Sequence, residues 1–225
     1  MIQIFNSILA LFTREIKVNY RNLSDIFSIL IFFLLAIMIF VFSIGTNKEI
    51  FNEIGIGIIW TLILLSNTLS VRKIFQDDFD NNNIVLFHMA GLSYELIVII
   101  KIITIWLFFQ VPFFIVIPLA SILLNVDFIN TKTIFISFLI GSPTITCIAS
   151  ISGSMNLLNK TNFTIGSLII MIFSIPVIIF AVNISGVSVE VANAQIKILI
   201  GIMLFFFAIT PWVSSSCLKL GLENK

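Results

Sequence analysis

The segment with the most distinctive chemistry is an acidic and aromatic run between residues 72 and 80, which reads RKIFQDDFD. Two adjacent carboxylates, Asp77 and Asp78, make a poor lipid contact but can form ion pairs with Arg or Lys of another protein. Phe75 and Phe79 lie four residues apart, so on a helix they share a face that could enter a cleft. The predicted partner-binding residues are Arg72, Phe75, Asp77, Asp78 and Phe79. The alternative is a solvated acidic loop whose charges only remain in water.

The sequence contains no residue set that points to catalysis, a metal or a bound cofactor. His88 is the single histidine, and a lone His is more often a packing or surface residue, because metal sites gather several ligands. Cys147 and Cys217 both lie in apolar runs, which excludes a disulfide framework, a Cys-rich metal site and a CxxC redox motif. We therefore expect no catalytic residue, no metal and no stably bound cofactor.

The motifs also argue against ATP hydrolysis by this chain. A phosphate-binding loop reads G-x-x-x-x-G-K-[ST], and the nearest match ends in Lys160 and Thr161. Ser154 and Asn159 stand where that motif needs its two glycines. The apolar stretches carry almost no charge, which disfavours an ion-coupled carrier because its relays need ionisable groups inside the membrane. We predict a chain that is not an enzyme and takes its energy from another protein.

The composition excludes a soluble globular protein. Hydrophobic residues make up 59% of the 225 residues, charged residues only 10%, and the mean hydropathy is +1.17. A soluble domain carries about 25% charged residues, so this chain could not cover its own surface. The net charge of +1 gives no basic face for a nucleic acid. The predicted fold class is an all-α polytopic membrane protein.

The elements that must position the acidic run are membrane-crossing helices, each of about 20 mostly apolar residues. Six stretches qualify within a single membrane domain: 26–45, 54–71, 102–124, 133–153, 163–184 and 196–217. Residues 1–25 are predicted to form an amphipathic helix in the membrane interface, since apolar residues recur there at helical spacing. Residues 72–95 are the predicted cytoplasmic coupling loop. Lys101 is placed at the interface, where its long stem could reach the headgroups.

Lys and Arg distribution predicts the orientation, because cytoplasmic segments carry the excess of these residues. With the N-terminus inside, the outer segments hold Lys48, Lys132 and Lys197. The inner segments hold nine: Arg14, Lys17, Arg21, Arg72, Lys73, Lys101, Lys160, Lys219 and Lys225. Both termini are therefore expected in the cytoplasm, or in the matrix if the protein is organellar.

The fourth predicted span carries small polar side chains at four-residue spacing, at Ser142, Thr146, Ser150 and Ser154. Small residues at this spacing allow two helices to approach closely. The default interpretation is helix packing, and the alternative is a polar groove.

Four short motifs together resemble the haem exporter B (CcmB) family. They are Gly57-Ile58-Ile59-Trp60 with Leu64-Leu65-Ser66, the run Arg72 to Asp80, Gly141-Ser142-Pro143-Thr144, and Thr13-Arg14-Glu15-Ile16 with Arg21. Two positions depart from the family pattern. Asn82-Asn83-Ile84-Val85 replaces a usual Gly-Ser-Leu-Glu, and Ala90-Gly91 replaces a usual Leu-Pro.

This resemblance implies a membrane permease subunit of an ABC-type haem export complex used in cytochrome c maturation. It implies an ATP-binding ABC subunit that hydrolyses ATP, a haem-handling membrane protein, and haem as a transported substrate. A second copy of the chain and membrane lipids complete the expected partners. The implied location is the bacterial inner membrane, or the mitochondrial inner membrane if the protein is organelle-encoded. Two alternatives stay open: a subunit that uses ATP to release a haem-loaded chaperone, and a permease for a lipid or glycan precursor.

Overall fold

The computed structural model describes residues 2–45, 48–70, 74–158, 164–185 and 187–224, and this part of the chain is helical without strands. Its ten α-helices are α1 (Ile2–Arg21), α2 (Leu23–Ile44), α3 (Lys48–Ser70), α4 (Gln76–Asp80), α5 (Asn83–Met89), α6 (Tyr94–Ile105), α7 (Phe113–Leu123), α8 (Phe128–Asn156), α9 (Thr164–Val182) and α10 (Val189–Glu223). A π-helical segment, Trp106–Gln110, joins α6 to α7. The all-α prediction is confirmed.

Five helical stretches in the described chain are long and apolar enough to cross a membrane. They are Leu23–Ile44, Glu49–Leu69, Tyr94–Leu123, Phe128–Asn156 and Val189–Glu223. The fifth predicted span, 163–184, corresponds to α9, of which the described apolar stretch is the shorter Gly166–Val182. At a rise of 1.5 Å per residue, that stretch extends about 26 Å, against about 30 Å of hydrocarbon.

Most helices extend beyond the predicted apolar stretches, because backbone hydrogen bonding continues into their polar flanks. The largest difference is at the third span, which was predicted to begin at residue 102 but begins with α6 at Tyr94. Ser93 sets this start, since its side chain accepts a hydrogen bond from the backbone N–H of Leu96 at 3.3 Å. The predicted coupling loop is therefore shorter, and it contains the two short helices α4 and α5.

The π-helical segment has a local cause in Pro112. Proline has no N–H to donate and its ring crowds the preceding turn, so the helix widens just before it. The backbone N–H of Val111 bonds to the carbonyl of Trp106 at 3.3 Å, which is π-helical spacing. This wider turn places Gln110 in the interior of the chain, with 1% of its surface exposed.

The core is centred on α8, which packs against α10 and α9. Helix α3 approaches α8 closely at Gly141, where an added Cβ would lie 2.6 Å from the ring of Trp60. The indole N–H of Trp60 donates to the Ser137 hydroxyl at 3.3 Å. Gly141 is therefore required by close helix packing.

A helix forms within the predicted residues 1–25, but α1 ends at Arg21, and a single residue, Asn22, separates it from α2. One face of α1 packs through Leu11 against α6, where it contacts the cluster of Leu92, Ile97 and Ile100. This packing holds α1 against the first turns of a membrane-length helix.

Candidate functional site

The structure separates the predicted partner-binding residues into exposed and buried groups. Asp77 is exposed, whereas Phe75, Asp78 and Phe79 are buried. Arg72 lies outside the described residues. Phe75 and Phe79 were predicted to share a face that could enter a cleft of a partner, but both rings are buried within this chain. Participation of this run in partner binding stays a prediction.

The burial of the two phenylalanines has a direct physical reason. Both rings belong to the main hydrophobic core, because removing such large apolar surfaces from water is favourable. An added Cβ at Gly221 would lie 3.3 Å from Phe79 Cε2, so this ring packs directly on α10. Phe75 and Phe79 anchor α4 to the rest of the chain.

Asp78 is the centre of a buried ionic cluster, which we define as Arg14, Glu15, Asp78 and Lys101. The guanidinium of Arg14 bonds to both carboxylate oxygens of Asp78, at 2.5 and 2.9 Å. The ammonium of Lys101 donates to Asp78 Oδ2 at 2.5 Å, and the Asn83 amide donates to Oδ1 at 2.8 Å. With only 5% of Asp78 exposed, these donors replace its lost hydration.

Lys101 completes the cluster from α6. Its ammonium donates to Glu15 Oε2 at 3.2 Å and to the backbone carbonyl of Ile74 at 3.3 Å, and it lies 5.9 Å from the centre of the Phe75 ring. Only 3% of Lys101 is exposed. The prediction that Lys101 reaches the headgroups is therefore wrong, because two carboxylates and a carbonyl hold its ammonium inside the protein.

The ionic cluster ties together three elements that are distant in sequence. Arg14 and Glu15 come from α1, Asp78 from α4 and Lys101 from α6. Its two positive and two negative charges balance, so none is left uncompensated in a site with little water. Removing one partner of such a buried pair typically costs about 3–5 kcal/mol. The cluster therefore fixes the short helix α4 against both α1 and a membrane-length helix.

The charges and hydrogen bonds of the cluster lower the pKa of Asp78. Burial alone would raise this pKa, but the hydrogen bonds from Arg14, the charge and hydrogen bond of Lys101, and the Asn83 amide hold it below its usual range. Burial likewise works against the charge of Arg14, yet Asp78 and Glu15 raise its pKa. Both groups are charged at neutral pH, so the cluster acts as a permanent ionic link.

A pocket of about 110 Å³ opens beside the ionic cluster. Its polar wall includes Asp77, Asp78 and Asn81, and its apolar wall includes Ile105 and Phe109. Within the described chain, no group of three or more His, Cys, Asp or Glu residues could hold a metal ion. The pocket joins the exposed acidic edge of α4 to the buried side of the third membrane-length helix.

His88 is accounted for by local packing in α5 and α6. Its Nδ1 lies 3.0 Å from the backbone carbonyl of Leu92, and its ring stacks on Tyr94 with 4.4 Å between ring centres. Its surroundings therefore match the packing interpretation of a lone histidine.

A second polar contact was missed in the sequence analysis. The side-chain amide of Gln110 donates to Asn67 Oδ1 at 2.6 Å, and the Asn67 amide donates to the Ile63 carbonyl at 2.8 Å. Gln110 Oε1 has no hydrogen-bond partner among the described residues. A polar amide two residues before Pro112, inside an apolar run, was the available signal.

The small polar face of α8 is used for helix packing. Ser142 accepts a hydrogen bond from the indole N–H of Trp106 at 3.0 Å, and the hydroxyls of Ser150 and Ser214 lie 3.4 Å apart. Ser152 donates to the Gly166 carbonyl at 2.5 Å. These contacts join α8 to the π-helical segment, α10 and α9, which favours packing over an open polar groove.

Known proteins are similar to this chain along almost its entire length. A family model described as CcmB protein matches residues 6–221. The Heme exporter protein B of Haemophilus influenzae is 27% identical over 219 residues, covering 96% of this chain and 99% of that relative. A protein of the same name from Bradyrhizobium diazoefficiens is 25% identical over 217 residues, covering 95% and 98%. Because the family model matches nearly the whole chain, including the ionic cluster, this chain belongs to the CcmB protein family.

Proposed function

We propose that this chain is the transmembrane permease subunit of an ABC-type haem export complex that serves the biogenesis of c-type cytochromes. The observation that carries the proposal is its match, along nearly its full length, to proteins named Heme exporter protein B. Five helices of membrane-crossing length in the described chain support it. The proposed location is the bacterial inner membrane, and the same argument holds for a mitochondrial inner membrane if the protein is organelle-encoded.

The proposed topology has six crossings with both termini in the cytoplasm. Helix α9 would be the fifth crossing, because it is apolar and packs against α8, α3 and α10, which are themselves long enough to span. An even number of crossings keeps both termini on one side. The nine Lys and Arg residues of the inner segments support the cytoplasmic side.

ATP hydrolysis is assigned to a separate ATP-binding subunit that would contact α4. The exposed carboxylate of Asp77 lies beside the buried Asp78 at the edge of this helix. A basic side chain of the partner could pair with Asp77 without disturbing the core, and Arg72 would add a positive charge just before α4. Phe75 and Phe79 would keep α4 attached while the partner pushes or pulls on it.

The ionic cluster would couple a partner bound at α4 to the membrane-length helices. Motion of α4 would move Asp78, and its bonds to Lys101 and Arg14 would carry that motion to α6 and α1. The π-helical segment directly after α6 is a place where the third membrane-length helix could bend. ATP turnover on the partner would thus change the packing of the spans.

Haem is proposed as the transported substrate rather than as a stably bound cofactor. The proposed complex also contains a haem-handling membrane protein, a second copy of this chain and surrounding lipids. Two alternatives remain as proposals for the same complex: ATP-driven release of a haem-loaded chaperone without haem crossing, and transport of another amphiphile such as a lipid or glycan precursor.

Reconstitution of the complete complex in lipid vesicles tests the proposal. ATP would be supplied on the cytoplasmic face, and haem arrival on the other face would be measured with an enclosed haem-binding protein. Asp77→Asn should lower both ATP turnover and haem arrival, whereas Glu190→Gln, which changes an exposed acid at the start of α10, should change neither. ATP-dependent chaperone release without haem arrival would establish the release alternative. Movement of a labelled lipid in place of haem would establish the other alternative.

A further inference from the structure

One face of α1 is left uncovered by the rest of the described chain. Phe5, Leu9 and Tyr20 expose 65%, 55% and 67% of their surfaces, and Thr13 and Lys17 are also exposed. These five residues follow one another at spacings of three or four, so they form a continuous stripe along the helix. The stripe is apolar towards its N-terminal end and cationic towards its C-terminal end.

A groove of about 630 Å³ runs along this side of α1. Its described lining combines the apolar side chains of Leu9, Ala10 and Val18 with the cations Arg14, Lys17 and Arg21. Lys17 and Arg21 are separated by one helical turn and therefore reach the same end of the groove. The groove thus combines an apolar floor with two cations at one end.

Two of the three cations that line the groove have no acidic partner among the described residues. Lys17 and Arg21 make no ion pair with any acidic residue in the described part of the chain. Arg14 differs from them, because Asp78 and Glu15 hold its guanidinium. An anion that enters the groove would therefore meet two cations that form no ion pair within the described ranges.

The position of α1 places these cations near the ends of two membrane-length helices. Arg21 is followed by Asn22, and the membrane-length helix α2 begins at Leu23. On its other side, α1 packs against Ile97 and Ile100 in the first turns of α6, which belongs to another membrane-length stretch. The groove therefore lies beside the ends of two candidate spans, which is where lipid headgroups would lie if these helices cross a bilayer.

We propose that this groove binds an anionic phospholipid of the inner leaflet. Lys17 and Arg21 pair with the phosphate, which suits the planar guanidinium and the flexible ammonium. Leu9 and Phe5 lie against the acyl chains, and Tyr20 sits at the boundary where amphipathic aromatic rings are favoured. The proposal rests on the inner placement of α1 proposed above and is independent of which substrate the complex exports.

Lipid binding to the purified full chain in detergent provides the test, with native mass spectrometry as the measurement. Phosphatidylglycerol and phosphatidylcholine with identical acyl chains are titrated separately. The double variant Lys17→Gln/Arg21→Gln should weaken phosphatidylglycerol binding about 30-fold, since each charge near an anionic surface contributes about fivefold, or about 1 kcal/mol. Each single variant should lose about fivefold, and phosphatidylcholine binding should stay unchanged.

A matched control is the double variant Lys132→Gln/Lys197→Gln, which removes two exposed cations from α8 and α10. It should retain wild-type affinity for phosphatidylglycerol. Equal losses of phosphatidylglycerol affinity in both double variants would show that binding depends only on the net charge of the protein, which would overturn the site. Unchanged phosphatidylglycerol binding in the groove variant would also overturn it, and loss of partner assembly in that variant would then identify a protein-docking face. The lipid-binding assay contains no haem, so a negative result would overturn the lipid site without testing the haem-export proposal.

Discussion

The substitution Asp78→Asn probes the ionic cluster most directly. It keeps the size of the side chain but removes the negative charge that pairs with both Arg14 and Lys101. Glu15 then remains as the single carboxylate for two cations, which leaves one positive charge uncompensated. The amide NH₂ would also point a donor towards groups that are themselves donors, which adds to the cost.

The expected magnitude follows from the exposure of the three side chains. Asp78 and Lys101 are buried, so their attraction is weakly screened, whereas the side chain of Arg14 is 33% exposed and can regain some hydration. Breaking a buried pair costs about 3–5 kcal/mol, and the partial exposure of Arg14 favours the lower end. We expect a loss of about 3 kcal/mol in the free energy of unfolding, or about 6–12 °C in thermal midpoint.

Thermal unfolding of the purified chain in mild detergent measures this effect. Asp77→Asn is the matched control, because it makes the same chemical change one residue away at an exposed position, and it should stay within about 0.5 kcal/mol of wild type. Equal midpoints for the two variants would refute the reasoning that the cluster holds α4 in place.

A double-mutant cycle separates charge imbalance from loss of packing. Lys101→Met alone should also destabilise, since it leaves two carboxylates facing one guanidinium. Asp78→Asn combined with Lys101→Met leaves one charge of each sign, so its cost should be less than the sum of the single costs. Strict additivity would show that Asp78 and Lys101 do not interact through their charges.

Three further outcomes are expected. The difference in thermal midpoint between wild type and Asp78→Asn should persist at neutral pH and shrink only below about pH 4. The folded-state pKa of Asp78 is depressed, so its stabilisation is fully present above the unfolded pKa of about 3.9. A difference already lost near pH 6 would contradict this. Gly141→Ala should cost about 1–3 kcal/mol by thermal unfolding because its Cβ would meet Trp60, whereas Gly57→Ala, which meets nothing within 4 Å, should not destabilise. With a membrane-impermeant maleimide, Asn130→Cys should label from outside and Asn224→Cys only from inside, and the reverse pattern would overturn the proposed orientation.

Composition and periodicity were sufficient to predict the helical membrane architecture. A chain with 59% hydrophobic residues and 10% charged residues has few alternatives, because backbone polar groups in lipid must be satisfied within helices. The helix at residues 2–21 could also be predicted, since its apolar spacing is a local property. The predicted positions of helix ends were less accurate. The start of α6 at Tyr94 is one example, because the Ser93 cap decides it independently of hydropathy.

The roles of individual charged residues could be decided only by the tertiary structure. Asp77 and Asp78 are neighbours with the same chemistry, yet one is exposed and the other is held by Arg14 and Lys101. Lys101 looked like an interfacial residue in its apolar run, but its partners come from positions 86 and 23 residues away. Burial and ion pairing depend on contacts between distant segments, and local sequence carries no direct record of which segments will meet.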